Sequence, residues 1–507
     1  MKKTISIFML AALLIGGLAG CYDDKGNYKY RDINEVTYKI LPESEDGYYR
    51  FKQPPMDTMY VDYTVDLSQS QAANEENLEF LWLVSYSKDK KTVTDTITTR
   101  DLRLAFPPKK SSAFDIVFSL TDKQTNVSSY KELHIKTVYP YVNSWLVLNG
   151  DKENARISAV EDPDSLNYVF TEDAYTALGY KKRFEDITEL VYAPAITENV
   201  SAPEWLYIVS PDSVWALFPF EMKVEKKQSD ILPDIIVANK TEVAYGLDGT
   251  PNSGGTVILV DENKRFYYSN FNNGKGVFQQ PAVAKDLKDT YQVDLIAKSQ
   301  KSNYLCFWDD ERKKFLYFSI SGGSEITLFP EEYNDWTGKE VVWMGTDNQD
   351  QEHKDGIAIA IVKDTKDQSY WTYRFSTEQT ITGTPIGELP INKDSQFATT
   401  SAFPDQFFYT VDSKVYLFNV ASLETYELYD AGSPITKMQF RITGEHQLTE
   451  KWNYMQRCLA LTVDKGDQGE LHELTLTTAG DIETSRIFEG FGPIKDMCFT
   501  FINRIQR

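Results

Sequence analysis

The chain has 507 residues and a formal net charge of −22, a balance that repels nucleic acid and anionic membrane surfaces, so neither is an expected partner. At ~100 to 200 residues per domain, the length implies two to four domains or one large repeat array. The 31 Tyr, 28 Phe and 9 Trp argue against a disordered or helical chain and suit half-buried strands.

Lys2 and Lys3 precede an apolar or small stretch over residues 5–20, the layout of a secretory signal peptide, too short to span a bilayer comfortably. No later apolar run approaches the ~20 residues that a span requires, so the remainder is expected to be soluble on a tether. The stretch ends in Leu18, Ala19, Gly20 and Cys21, which resembles the lipobox read by the bacterial lipoprotein signal peptidase. That resemblance implies that residues 1–20 are removed and that Cys21 becomes the acylated first residue, anchored to a membrane outside the cytoplasm. Residues 21–36 read as a polar tether, with Asp23 and Asp24 close behind the cysteine. An acidic pair so placed resembles the surface-export signal of outer-membrane lipoproteins in gut Gram-negative bacteria that use Sus-type uptake systems, and it implies exposure at the cell surface.

Residues 37–140 alternate apolar and polar in short runs, at 59–65, 78–83 and 114–120. A period of two is the strand signal. Several such strands around a central Trp82 within ~100 residues predict a β-sandwich of immunoglobulin type, without a cysteine pair between its sheets. A polar turn at 121–126 joins the last two strands into a hairpin, an ending that resembles PKD-like domains.

From Trp145 the texture changes to pairs of strands joined by tight polar turns. They begin near Leu146, Leu206, Val257, Tyr304, Ile357, Phe407 and Cys458, a spacing of roughly 50 residues that falls in the range of propeller blades. Residues 433–440 and 492–499 share a phrase 59 positions apart, Ser-Pro-Ile-Thr-Lys-Met-Gln-Phe against Gly-Pro-Ile-Lys-Asp-Met-Cys-Phe. The second copy has no hairpin after it, and the first hairpin has no innermost strand before it. The fold expected is therefore all-β, a sandwich followed by a seven-bladed β-propeller over 141–507, in which the C-terminal strand completes the blade begun at 145–171 and leaves no open edge. The competing architecture is a pair of large β-sandwiches.

Catalytic constellations are sparse. There is no His-Glu-x-x-His, no Gly-x-Ser-x-Gly elbow and no phosphate-cradling glycine loop, and no cofactor or metal site is expected. Of four histidines, His134 and His472 fall in strand patterns as edge or surface residues, while His353 and His446 sit in loops beside Glu352 and Glu445, where solvation is the ordinary state. The loop 345–356 is rich in oxygen ligands suited to calcium but lacks EF-hand spacing, so a solvated turn is expected. Cys306, Cys458 and Cys498 show neither metal nor disulfide spacing and read as buried thiols. Carboxylates for glycoside hydrolysis would come from different blades, and no pair can be named. Exposed aromatics are the better lead, since a sugar ring or an apolar peptide side chain can lie on an indole face. Trp308, Trp336, Trp343 and Trp371 cluster in the fourth and fifth units. Trp336, in an apparent loop beside Tyr333, is expected to face solvent, whereas Trp343 and Trp371 fall in strand patterns and are expected in the core. The candidate ligand contacts are thus Trp336, Tyr333 and Trp308.

The lipobox, the segment 21–28 leading into Ile33, Asn34, Glu35 and Val36, the hairpin ending and the Ser144-Trp145-Leu146-Val147-Leu148 transition together resemble the PKD-like family of lipoproteins. The resemblance implies an accessory role beside a Sus-type TonB-dependent transporter and its lipoprotein partner at the outer-membrane surface, capturing a glycan or a peptide. It carries no catalytic motif over to this chain. A propeller-based hydrolase or lyase and a protein-binding scaffold remain the alternatives.

Overall fold

A computed structural model describes residues 34–501 except 45–46, 53–56, 71–74, 89–90, 108–112, 182–183, 194–204, 212, 233–237, 245–255, 270–277, 284–286, 288–290, 299–303, 320–324, 348–354 and 443–449. The leader, Cys21 and the acidic pair lie outside these residues. Among the described residues no helix is long and apolar enough to cross a membrane. The fold is all-β, and contacts divide the chain into two units.

The first unit holds two sheets. Val36–Leu41, Met59–Gln69 and Leu102–Phe106 form one; Tyr48–Lys52, Val127–Val138, Ala113–Asp122, Leu78–Lys88 and Lys91–Ile97, in that spatial order, form the other. Alternation decides which side chains are inward: Val61, Tyr63 and Val65 on one strand, Leu78, Phe80, Trp82 and Val84 on another, are buried. Rings meet between the sheets, with Tyr38 edge-on to Phe118 at 5.0 Å and Phe118 against Trp82 at 4.3 Å. The Trp82 indole donates to the Thr99 carbonyl at 3.0 Å, so its one polar atom is satisfied inside the core.

The second unit is propeller-like. Among the described residues it contains seven sheets; five are built on four antiparallel strands that follow one another in sequence, the fourth adds a short fifth strand, Ala282–Val283, paired in parallel with Glu325–Leu328, and the first takes one of its four strands from the C-terminus. In the seventh these are Ile435–Phe440, Cys458–Asp464, Gly469–Leu476 and Ile482–Phe491. The second strand of each sheet is covered on both faces, so its sequence is a continuous apolar run instead of an alternation: Trp205–Ser210 is buried throughout, as is most of Gly356–Asp364 and of Cys458–Asp464. The fourth strands, such as Glu424–Asp430, are largely exposed and accordingly polar. An aspartate fixes several of the hairpin turns. Asp261 accepts from the backbone N–H of Asn263 and Arg265, Asp364 from that of Lys366, and Asp464 from that of Gly466, local bonds that stabilise the turn in place of a strand.

One sheet does not follow chain order. Ser144–Asn149, Arg156–Glu161 and Val169–Thr171 supply three strands of the first sheet, and the fourth is the C-terminal Ile494–Thr500, paired antiparallel with Ser144–Asn149 from Ile494 opposite Asn149 to Thr500 opposite Ser144. No single sheet closes on itself. The buried Asp496 ties this strand to both flanking sheets, since it accepts from the Leu190 backbone N–H at 2.7 Å and pairs with Lys437.

A buried ionic cluster stands beside it. Arg441, following the first strand of the seventh sheet, is 1% exposed and holds both oxygens of Glu473, itself 2% exposed, at 2.8 and 2.5 Å. Its third nitrogen, Nη1, donates to Asp164 beside the first sheet at 3.0 Å, Nη2 is shared with the same carboxylate at 2.8 Å, and the guanidinium face covers Phe499 at 4.6 Å. The Trp145 indole donates to Glu473 at 2.5 Å. A buried pair of this kind is costly to break from one side, because the survivor is left charged and unpaired. Arg441→Met should therefore destabilise the protein by about 3–5 kcal/mol, read by chemical denaturation. Asp164 is half exposed, and Asp164→Asn should cost less than about 1 kcal/mol. Burial pushes the Asp164 carboxyl up, but the hydrogen bonds and charge of Arg441, with the Tyr454 hydroxyl, leave it below its ordinary value. Its stabilising contribution is complete above the ordinary aspartate value of about 3.9 and is lost as pH falls through the depressed one. Denaturation curves at pH 6 and below pH 4 should thus differ less in Asp164→Asn than in the parent.

Candidate functional site

The aromatic residues singled out in the fourth and fifth units do not form an exposed platform. Trp336, expected at the surface, is 3% exposed. The cause is Asn334, whose buried side chain accepts from the Phe315 N–H at 2.8 Å, donates to the Phe315 carbonyl at 2.9 Å and accepts from the Trp336 indole at 3.0 Å. This clamp draws the loop onto strand Lys314–Ser319 and seats Trp336 edge-on between Phe315 and Tyr373, each at 4.7 Å. Trp308 is 1% exposed and packs on Phe315. Tyr333 is exposed but stands without either indole beside it at the surface. Trp343 and Trp371 are partly buried on strands, Trp343 stacked on Phe397 at 5.5 Å.

The histidines also sort by packing. His472, read as an edge or surface residue, is buried on the third strand of the seventh sheet between Tyr429 at 3.0 Å and Glu470 at 2.8 Å. Burial lowers its pKa despite Glu470, so at neutral pH it is an uncharged bridge from the sixth sheet to the seventh. His134 is partly exposed, stacked on Tyr48 and bonded to Asp115. His353 and His446 with their glutamates, and most of the loop 345–356, lie outside the described residues. Among the described residues no group of three or more metal-ligating side chains occurs. Cys306, Cys458 and Cys498 are free and buried, and burial pushes their thiols up, that of Cys458 to about 12.

A cleft of about 440 Å³ opens between the fifth and sixth sheets, within the ~300–1,000 Å³ of small-molecule sites. Its polar wall follows from strand register. Tyr370–Ser376 pairs with Ile381–Gly387 so that Thr372 faces Thr384 and Arg374 faces Thr382. With a period of two, Arg374 and Ser376 share a face with Thr380, Thr382 and Thr384, while Phe375 turns the other way into the core with Phe315 and Phe329. Further along the same face, Tyr370, Ile386 and Leu389 pack on Phe407 and Phe418 of the sixth sheet. The contact between these sheets is thus dry at one end and polar at the other, and the cleft lies at the polar end.

Arg374 is fixed from both sides. Its guanidinium donates to Asp347 and to Asp405, each at 2.6 Å. Asp347 is buried and lies against Gly356, where even a Cβ would collide with the carboxylate, so glycine is required there. Asp405 is half exposed on the rim, Asp355 lines the opening, and Val420 with Ala421 gives a short apolar surface on the sixth sheet. The motif Thr-x-Arg-x-Ser with Thr-x-Thr-x-Thr is visible in the sequence, yet period-two alternation does not say which face meets solvent.

Comparison with known proteins follows this geometry. Residues 21–181 match the model of the PKD-like family. No curated protein matches the chain. Among solved structures, a quinonprotein alcohol dehydrogenase-like protein from Bacteroides thetaiotaomicron shares 9% identity with a TM-score of 0.43, covering 91% of this chain and 99% of that one. An auxiliary nutrient binding protein from the same organism shares 8% at 0.33, covering 83% and 93%. A β-propeller domain from Myceliophteria thermophila shares 8% at 0.37, covering 72% and 93%.

The burial of Trp336 predicts that Trp336→Ala lowers stability by roughly 3–5 kcal/mol, whereas Tyr333→Ala stays within about 0.5 kcal/mol of the parent; equilibrium denaturation of the two variants separates them.

Proposed function

We propose that the mature chain is an outer-membrane lipoprotein, acylated at Cys21 and exposed at the cell surface, that serves as an accessory binding module to a Sus-type TonB-dependent transporter and its lipoprotein partner. In this reading residues 37–140 are an immunoglobulin- or PKD-type sandwich acting as a spacer, and 141–507 are a seven-bladed propeller closed by its C-terminal strand. The run of sheets in the second unit and the pairing of Ile494–Thr500 with Ser144–Asn149 support the closed ring. The lipobox, the acidic tether and the family match at the N-terminal end support the address.

The observation that carries the binding role is the cleft between the fifth and sixth sheets. It is open to solvent, Arg374, Ser376, Thr382 and Thr384 stand on paired strands while Thr380, Asp355 and Asp405 stand on the adjoining turns, and Arg374 is held in place before any ligand arrives. Preorganisation of this kind lowers the ordering cost of binding. Affinity purification of the lipidated protein from its native membrane in mild detergent, with partners identified by mass spectrometry, tests the reading. A TonB-dependent transporter and a second surface lipoprotein should be recovered with the parent. Cys21→Ala should appear in the soluble fraction and recover neither. Recovery of the parent alone, or unchanged membrane retention of Cys21→Ala, contradicts it.

A further inference from the structure

We propose that the cleft between the fifth and sixth sheets binds a neutral, polyhydroxylated ligand, a saccharide unit, through the hydroxyl ladder of Thr380, Thr382 and Thr384 and the Arg374–Asp405 pair. This assignment rests on the binding-module reading and names the ligand class for that same site. The first argument is the wall itself. Ile381–Gly387 is the outer strand of the fifth sheet and is exposed at Thr382 and Thr384, yet these residues line a recess beside the sixth sheet instead of facing open solvent. Thr380, Thr382 and Thr384 each bring a hydroxyl to the lining of that recess, and Ser376 adds another at 2.7 Å from Thr380. A hydroxyl both donates and accepts, which matches a ligand whose own groups do the same.

Charge narrows the class. Among the described residues around the cleft, the carboxylates Asp347, Asp355 and Asp405 outnumber the guanidinium of Arg374 three to one, and two of them already engage it. An anion entering here would meet a neutralised arginine and net negative potential, so phosphates and uronates are disfavoured. A neutral hydroxyl instead gains from both partners, accepting from the guanidinium, which has five N–H donors of which one on each terminal nitrogen is engaged by an aspartate, and donating to the exposed Asp405 carboxylate. Charge-assisted bonds of this type are the stronger ones. Val420 and Ala421 offer a small apolar surface for the C–H face of a ring.

The test is a glycan array of neutral and uronate-containing oligosaccharides on the isolated mature chain, followed by titration calorimetry with the best neutral oligosaccharide and its uronate counterpart. The parent should bind the neutral compound at least tenfold more tightly than the uronate. Thr382→Val with Thr384→Val, which keeps shape but deletes hydroxyls, should weaken binding at least tenfold, and Ala421→Arg should abolish it. Because Thr382, Thr384 and Ala421 are exposed, both variants should melt with the parent, which separates lost binding from lost fold. No binding of any neutral saccharide, equal binding of the uronate, binding indifferent to the threonine substitutions, or capture of a peptide library through the same threonines overturns the assignment. A saccharide-negative parent that still recovers the transporter overturns this ligand class and leaves the accessory role standing. A saccharide-binding parent that recovers no transporter does the reverse.

Discussion

A four-stranded sheet presents two open edges, and a succession of such sheets stays ordered only if its first and last members are held. In this protein the constraint is met by one strand. Ile494–Thr500 fills the open edge beside Ser144–Asn149, and Gly492 N–H reaches Asn149 Oδ1 at 3.0 Å across 343 positions of chain. Closing so long a loop costs little more than closing a short one, since each doubling of length adds only about 0.6 kcal/mol. The ladder hydrogen bonds and the burial of Met497, Phe499 and Phe501 oppose that modest cost.

Polar chemistry gives the junction its register. A slip of one residue would turn Asp496 away from Leu190 and Lys437, and Phe499 away from Arg441. The Arg441, Glu473 and Asp164 cluster does not add stability in proportion to its number of bonds, because desolvating these charges is expensive. Its effect is to make any other pairing worse. The uncharged His472 between Tyr429 and Glu470 does the same, on a smaller scale, between the sixth and seventh sheets.

Much of the architecture was legible in the sequence because it rests on local rules. Period-two alternation marked the strands of the N-terminal unit, strand pairs joined by tight polar turns at a spacing of roughly 50 residues marked the successive sheets of the second unit, and the shared phrase at 433–440 and 492–499 pointed to the out-of-order strand. Side-chain exposure was less legible. Trp336 was misjudged because a loop position says nothing of what folds over it, and the clamp that buries it is a contact from Asn334 to Phe315 made through tertiary packing. His472 was misjudged because alternation gives a face and not its covering. The cleft escaped notice for a related reason: Arg374 and its hydroxyl neighbours read as an ordinary polar strand face, and only the approach of Asp405, Val420 and Ala421 from the next sheet makes a recess of it.

The cleft is held locally by the apolar packing of Tyr370, Ile386 and Leu389 on Phe407 and Phe418 and by the Arg374–Asp405 pair, whereas the junction holds the first sheet to the last strand. The most direct measurement is hydrogen exchange by mass spectrometry on the full chain under native conditions, comparing peptides that cover 494–501 and 144–149. The account predicts that both are protected to the same degree as the buried second strands, opening together in a single cooperative event. Rapid exchange across 494–501 while 144–149 remains protected would contradict it, because the last strand would then be an appendage and not the element that holds the sheets.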